Sequence, residues 1–317
     1  MEPSRKYIVY KQSFQSPLIT SRGRWEERTS WVLREQKEDG SISFGEIAPI
    51  PDRNDIITEE FQAELDNWTR YQVDSSDFLW ISPALTSLAS SIWTNPDCPR
   101  QYLKSSAGLW GMKPDHLEGV VKRKIGILPP TDEIPMIQKW LKNLPEGVRV
   151  RLDPNESFSR DDLLKWTESL MHFTSVEFIE QPTGFKDDEW LLNYAPQSPI
   201  PIALDESLLR LDFDDQIAGL GENIFFVIKP ILFPDWISLF SVFKDCMDRV
   251  IFSTAFESPF GYEALLRLAS HSPLVPGLER SCFLGNKYEF KQHHQANLSS
   301  PSVSVEELDR LWRKLDQ

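Results

Sequence analysis

Cysteine is scarce. The chain has three, Cys98, Cys246 and Cys282, far apart and odd in number. That excludes a disulfide framework and a C-x-x-C zinc or redox site, and leaves small buried or half-buried thiols. Histidine is nearly as rare, five in 317 residues. Its one adjacent pair, His293 and His294, lies in the polar stretch KYEFKQHHQANLSSPS, which suits a solvated loop better than a metal site. Basic residues are short as well, 34 against 48 acidic ones, for a net charge of −14. With no cationic excess to follow a phosphate backbone, nucleic acid is excluded as a partner. No apolar run approaches the roughly 18 residues a membrane span requires, and MEPSRKYIVYKQSF has no apolar leader core, so a cytoplasmic protein is expected. Core material, by contrast, is ample: 40% hydrophobic residues and 11 Trp rule out global disorder.

The texture of the chain changes along its length. Residues 1–104 predict a mixed α+β unit. Strands around Lys6–Phe14 and Ser30–Glu35 flank an arginine-rich loop, TSRGRWEER, and a D-G turn leads into a further strand ending in GEIAPIP. Helices over TEEFQAELDNWTRY, with Thr58 as N-cap, and SPALTSLASSIW follow, and PDCPRQYLKSSAG reads as a linker. Beyond it, over residues 105–287, short apolar strands alternate with amphipathic segments. The strands are SAGLWG, VVKRKIGI, VRVRLDP, SVEFIEQP, IPIALDES, IFFVIKP, RVIFSTAFES and PLVPGLE; the intervening helices include a brief PDHLEG and DFDDQIAGL. Such alternation means a parallel sheet with right-handed crossovers, and eight strands in one run suggest a closed (β/α)7β barrel of TIM type. An open dinucleotide-binding sheet would carry a glycine-rich turn after its first strand, and none is present. The tail, SVSVEELDRLWRKLDQ, is a final helix expected to pack back on the N-terminal unit, so that residues 288–317 complete it.

In such a barrel chemistry gathers where strands end. Lys122 and Lys124, then Arg151, Asp153 and Asn155, then Glu180, Asp205 and Lys229 stand at successive strand ends. From Lys124 to Asp153, Glu180, Asp205 and Lys229 the steps are 29, 27, 25 and 24 residues, each one βα unit long. Side chains alternate along a strand, so Lys122 and Lys124 share a face that Arg123 does not, and Arg151 shares one with Asp153. Three carboxylates on adjacent strands repel one another unless a hard cation joins them. Oxygen-only ligation favours Mg²⁺, with Mn²⁺ as the other dication such donors accept. Lys124 and Lys229, four strands apart in a ring of eight, should face each other across it. A metal beside opposed lysines suits abstraction of a proton α to a carboxylate. Lys124 is then the base, its amine pushed toward neutrality by Lys122 and the metal.

GEIAPIP, KRK, RLDPN, EFIEQP, ALDES, VIKP, FSTAFESPFG and VPGLE together resemble the enolase superfamily in its muconate-lactonizing subgroup, over nearly the whole chain. The superfamily's lysine base and Mg²⁺-stabilised enediolate are a known pattern of pKa tuning. The resemblance implies an enolase-like fold, an α+β N-terminal unit capping the barrel. It implies that Asp153, Glu180 and Asp205 bind Mg²⁺. Lys124 would take the proton and then protonate a departing hydroxyl, and Lys229 would stabilise the enediolate. Arg151 and Asn155 would line the pocket with Lys122, and Ser253, Thr254 and Gly277 would contact a succinyl group. The loop around Arg22 and Arg24 would form a cationic lid for a small carboxylate substrate. The implied reaction is a hydro-lyase step of menaquinone synthesis, the loss of water from a succinyl-bearing cyclohexadiene carboxylate.

Other readings fit the same residues. The same machinery could serve an N-acylamino acid racemase, a dipeptide epimerase or a cycloisomerase, although no Asp-x-Asp follows VPGLE as an epimerase would have it. A non-catalytic scaffold retaining the barrel is a third possibility, against which every charged position of the site is filled. Oligomeric state is not legible, and a monomer would suffice.

Overall fold

A computed structural model describes residues 3–20, 23–50, 58–71, 76, 78, 80–94, 101–104, 106–108, 117–210, 220–295 and 297–317. The first three strands, β1 (Ser4–Thr20), β2 (Gly23–Gln36) and β3 (Ile42–Ile47), form an antiparallel sheet in the order β1-β2-β3. Period-2 alternation in β2 divides its apolar residues between two faces. Trp31 and Leu33 pack with Phe61, Leu65 and Trp68 of α1 (Glu59–Tyr71) and Leu85 and Leu88 of α2 (Ser82–Ala89). Val32 goes to the opposite face. Thr58 caps α1 as expected, its Oγ1 accepting from Phe61 N at 3.2 Å. The described part of TSRGRWEER is strand, not loop: β1 runs to Thr20, and β2 begins at Gly23 and pairs Trp25 with Leu18. Residues 23–27 are mostly exposed, so no burial alternation marks them as strand. Arg24 is exposed and pairs with Glu26, while Arg22 lies outside the described residues.

Next come β4 (Gln101–Lys104), β5 (Ala107–Gly108), β6 (Val120–Lys124), α3 (Pro130–Leu141), β7 (Arg149–Asp153), α4 (Arg160–Leu170) and β8 (Val176–Glu180). They are followed by α5 (Asp188–Tyr194), β9 (Ile202–Leu204), β10 (Ile224–Ile228), α6 (Trp236–Val242), β11 (Val250–Phe252) and α7 (Pro259–Ala269). Strands β5 to β11 form one seven-stranded sheet in sequence order, parallel throughout. Helices cover its outside over Leu152, Ile202 and Phe226, Trp166 of α4 among the covering side chains, while Phe178, Ala203, Val227 and Ile251 pack together as a separate cluster. The expected eighth strand, PLVPGLE, is reduced to one parallel bridge between Gly277 and Ser253. Gly277 N donates to Phe252 O at 2.8 Å, and Pro276 O accepts from Ser106 N at 2.9 Å, which closes the ring. Pro276 has no N–H to extend the ladder. DFDDQIAGL falls almost wholly, and PDHLEG half, outside the described residues, as does Cys98; Cys246 and Cys282 are half-buried free thiols.

Two expectations fail near the C-terminus. The linker contains β4, which pairs antiparallel with β12 (Asn297–Ser300) in the supposed polar loop. His293 is likewise no loop residue: it is buried, with Nε2 3.2 Å from Glu263 Oε2, and burial lowers its pKa. The partners are distant in sequence, so local polarity misled. The tail helix α8 (Val305–Leu315) opens with a capping box between Ser304 and Glu307. It packs Leu308, Leu311 and Trp312 against Ile8, Val32 and Phe44 of the N-terminal sheet, as its leucine spacing suggested. A second tie joins sheet and barrel. Glu46 of β3 accepts from Ser258 N at 2.9 Å and Gly261 N at 2.9 Å, capping α7 from the other unit where the helix dipole favours an anion. A Cβ on Gly261 would run into that carboxylate.

Candidate active site

The charged side chains at the ends of β6 to β10 meet. Arg123 turns outward and stacks over Trp140 at 4.5 Å, leaving Lys122 and Lys124 on the shared face. Lys122 Nζ lies 2.8 Å from Asp153 Oδ2 and 2.7 Å from Glu180 Oε1. Lys229 pairs with Asp205 Oδ2. Lys124 Nζ donates to Asn155 Oδ1 at 3.2 Å. The ammonium groups on the carboxylates are therefore those of Lys122 and Lys229, whereas the sequence suggested Lys122 chiefly as a neighbour to Lys124. Asp205 could have been a helix cap, but its side chain accepts no capping bond from the 3₁₀ turn Glu206–Leu209.

Burial and charge pull these groups in different directions. Burial pushes Glu180 up to about 7; Lys122 opposes this, and Asp153 and Asp205 reinforce it. Burial and the adjacent Glu206 push Asp205 up to about 6 despite Lys229. Burial also works to raise Asp153, but Lys122 outweighs it and holds Asp153 below its ordinary value. Both lysines are raised, because Asp153 and Glu180 at Lys122, and Asp205 and Glu206 at Lys229, overcome the cost of burial. The result is a buried anion cluster that cations hold together.

Supporting residues were missed in the sequence. Gln181, buried beside Glu180 at a φ of 36°, clamps the turn that carries Asp205. Its Oε1 accepts from Asp205 N at 2.9 Å and Ser207 N at 3.0 Å, and its Nε2 donates to Ser207 Oγ at 2.6 Å. The Q of EFIEQP was the available signal. A register shift in β7–β8 opposes Val150 to Val176 but Arg151 to Phe178, so that Glu177 bulges. Arg151 donates to Glu177 at 2.7 Å, stacks over Phe178 at 5.1 Å and is buried, one guanidinium nitrogen lacking a partner. Asn155 sits at a φ of 55°, its backbone N donating to Asp153 Oδ1 at 2.9 Å. Ser253, Thr254 and Gly277 come together at the closing bridge, where Thr254 N donates to Gly277 O at 2.9 Å. The Thr254 hydroxyl is engaged by Glu257 Oε2 at 2.6 Å, while Ser253 Oγ makes a 3.4 Å bond to Gly277 O.

The donor set can be tested against a metal. As the side chains stand, no three His, Cys, Asp or Glu among the described residues are gathered to hold one ion. The Lys122 ammonium nevertheless bridges Asp153 and Glu180 and is acted on by Asp205, so one cation already draws on all three carboxylates. In donor chemistry the cluster fits a hard dication: buried, oxygen-only and on consecutive strands. Gripping one requires Lys122 to move aside.

An α+β sheet packed on a parallel barrel, with lysines and carboxylates at the barrel's strand ends, defines a class. A family model described as Enolase C-terminal domain-like matches residues 115–217. Over that stretch the chain is similar to the enolase superfamily. Within it, the resemblance is to o-succinylbenzoate synthases. That of Thermosynechococcus vestitus is 28% identical over 334 residues, covering 98% of this chain and 99% of that one. A crystal structure of the o-succinylbenzoate synthase of Thermosynechococcus elongatus BP-1, with Mg in its active site, matches with a TM-score of 0.70. Its identity is 22%, and the match covers 98% of this chain and 99% of that one. The L-Ala-D/L-Glu epimerase of Bacillus subtilis matches with a TM-score of 0.65 at 15% identity, over 86% of this chain and 88% of that one. At those identities the structural matches speak for the fold. The relatives are enzymes, and no helix among the described residues is long and apolar enough to cross a membrane.

Proposed function

We propose that this protein catalyses the o-succinylbenzoate synthase reaction, the dehydration of 2-succinyl-6-hydroxy-2,4-cyclohexadiene-1-carboxylate to 2-succinylbenzoate, as a cytoplasmic step of menaquinone synthesis. Residues 1–104, completed by 288–317, cap a catalytic barrel of residues 105–287. The observation that carries this reading is the pairing of buried carboxylates on β7, β8 and the end of β9 with lysines from β6 and the end of β10. The full-length resemblance to o-succinylbenzoate synthases points the same way.

Asp153, Glu180 and Asp205 would hold Mg²⁺, or Mn²⁺ in its place. When bound, such a dication supplies Lewis-acid stabilisation of negative charge on the substrate carboxylate. Lys124 removes the proton α to that carboxylate, oriented by Asn155. Lys229, on the far side of the cluster, stabilises the enediolate. Lys124 then returns the proton to the departing hydroxyl. A C–H and a C–O bond break, water leaves, and the ring becomes aromatic. With Asp153 and Glu180 holding the dication, Lys122 would be available to the substrate carboxylate. Arg151 supports the floor of the site, and Ser253, Thr254 and Gly277 face the succinyl chain.

The test is turnover of the cyclohexadiene substrate by purified protein with Mg²⁺, beside a panel of N-succinyl amino acids. Dehydration with little racemisation is expected. Brisk racemisation without dehydration would replace this reading with the racemase or epimerase one, which lysines on both sides of the cluster also favour.

A further inference from the structure

The loop from β11 to α7, residues 253–258, carries Ser253 and Thr254 at its start and the α7 cap Ser258 at its end. Its middle is strained. Phe256 has a φ of 64°, a left-handed conformation that costs a non-glycine residue about 1–3 kcal/mol and persists only where the surroundings enforce it. Part of the enforcement is internal: Thr254 Oγ1 donates to Glu257 Oε2 at 2.6 Å, and Ala255 N to Glu257 Oε1 at 2.8 Å. The rest comes from elsewhere. Arg280 donates to Glu257 O at 2.7 Å. Gln12, from the middle of β1 in the N-terminal sheet, donates through Nε2 to Glu257 O at 3.1 Å and Phe256 O at 3.5 Å. Two residues along, the Phe14 ring meets that of Phe256 edge-on at 5.7 Å.

Gln12 is buried, and its Oε1 has no partner. A buried amide that leaves one of its polar atoms unsatisfied gains little as a general stabiliser; what it supplies is donors to two carbonyls of the strained turn. We propose that Gln12 is a positioning residue: from the N-terminal sheet it holds the 253–258 loop in its strained turn and so fixes where the Ser253 and Thr254 side chains stand for substrate. The inference rests on the proposed function only in taking Ser253 and Thr254 as substrate contacts.

Gln12→Leu, which keeps the volume and removes the donors, tests it in two independent ways. Backbone amide hydrogen exchange over residues 253–258 should speed up more than tenfold, while the thermal midpoint stays near that of the parent. In steady-state kinetics, KM should rise about tenfold with kcat changed less than about threefold, the signature of lost binding rather than lost chemistry. Unchanged loop exchange would overturn the clamp. Faster exchange with KM unchanged, or with kcat falling as far as kcat/KM, would overturn the positioning role. Should Gln12→Leu not fold, Gln12→Asn retains an amide too short to reach both carbonyls and is judged by the same outcomes. If the parent protein does not turn over the cyclohexadiene substrate, the functional reading fails by itself, and the exchange measurement still decides the clamp.

Discussion

Two of the buried charged clusters among the described residues are built differently. At the junction of sheet, barrel and tail, each carboxylate is saturated by rigid donors. Glu289 takes Arg280 bidentately at 2.7 and 2.6 Å, with His294 3.2 Å away. Glu263 accepts from Arg267 at 3.1 Å, Ser302 N at 3.0 Å and Val303 N at 3.2 Å. At the strand ends the carboxylates are met by lysine ammonium groups on long stems. Burial works to raise Glu289, but Arg280 and His294 outweigh it and hold it down at about 2. Glu180, equally buried, is pushed up to about 7. The junction carboxylates are held by fixed donors; the strand-end carboxylates are pushed up by burial and by one another, the condition in which a site can do chemistry.

That contrast can be broken experimentally. Lys124→Ala should have the largest effect, lowering turnover by about three orders of magnitude, the middle of the range for a general base, while the thermal midpoint barely moves. Unchanged turnover would place the base elsewhere. Arg280→Met should do the reverse, costing about 3–5 kcal/mol in urea unfolding because Glu289 is left buried without its bidentate partner, with only His294 beside it. Glu180→Gln, by removing a buried anion that burial disfavours, should cost far less stability and lower turnover, though by less than Lys124→Ala does. Equal stability losses in these two variants would erase the distinction between the clusters. Acid titration sharpens it further. Glu289's folded pKa of about 2 lies below its ordinary 4.5, so its stabilisation is complete above about pH 4.5 and is lost as pH falls toward 2. Glu289→Gln should therefore flatten the acid limb of stability against pH, measured by urea midpoints. The smallest effect belongs to Arg24→Ala, whose exposed pair with Glu26 should leave the thermal midpoint unmoved. Any change there should be confined to KM for the dicarboxylate.

The barrel and its strand-end charges were legible because both repeat with the βα period, and no surface charge has reason to keep that step. The junction was not. Glu46 meets the start of α7 some 212 residues downstream, and His293 meets Glu263 across 30 residues that hold the barrel's closing turn. Partnerships of that kind leave no periodic trace. Lys122 was assigned to the correct face but not to its partners, since a long side chain can reach either way along a strand end. The Glu177 bulge was invisible because one extra residue in a five-residue strand looks the same as none.

The ring of strands has a seam. Where seven members share a continuous ladder, the circle is joined at Pro276–Gly277 by main-chain bonds around a single isolated bridge. Ser253 and Thr254 lie beside those stitches. A substrate tail resting on Ser253 and Thr254 would therefore lie where the wall is joined by a bridge instead of a ladder, its shape set by the loop that carries those two residues.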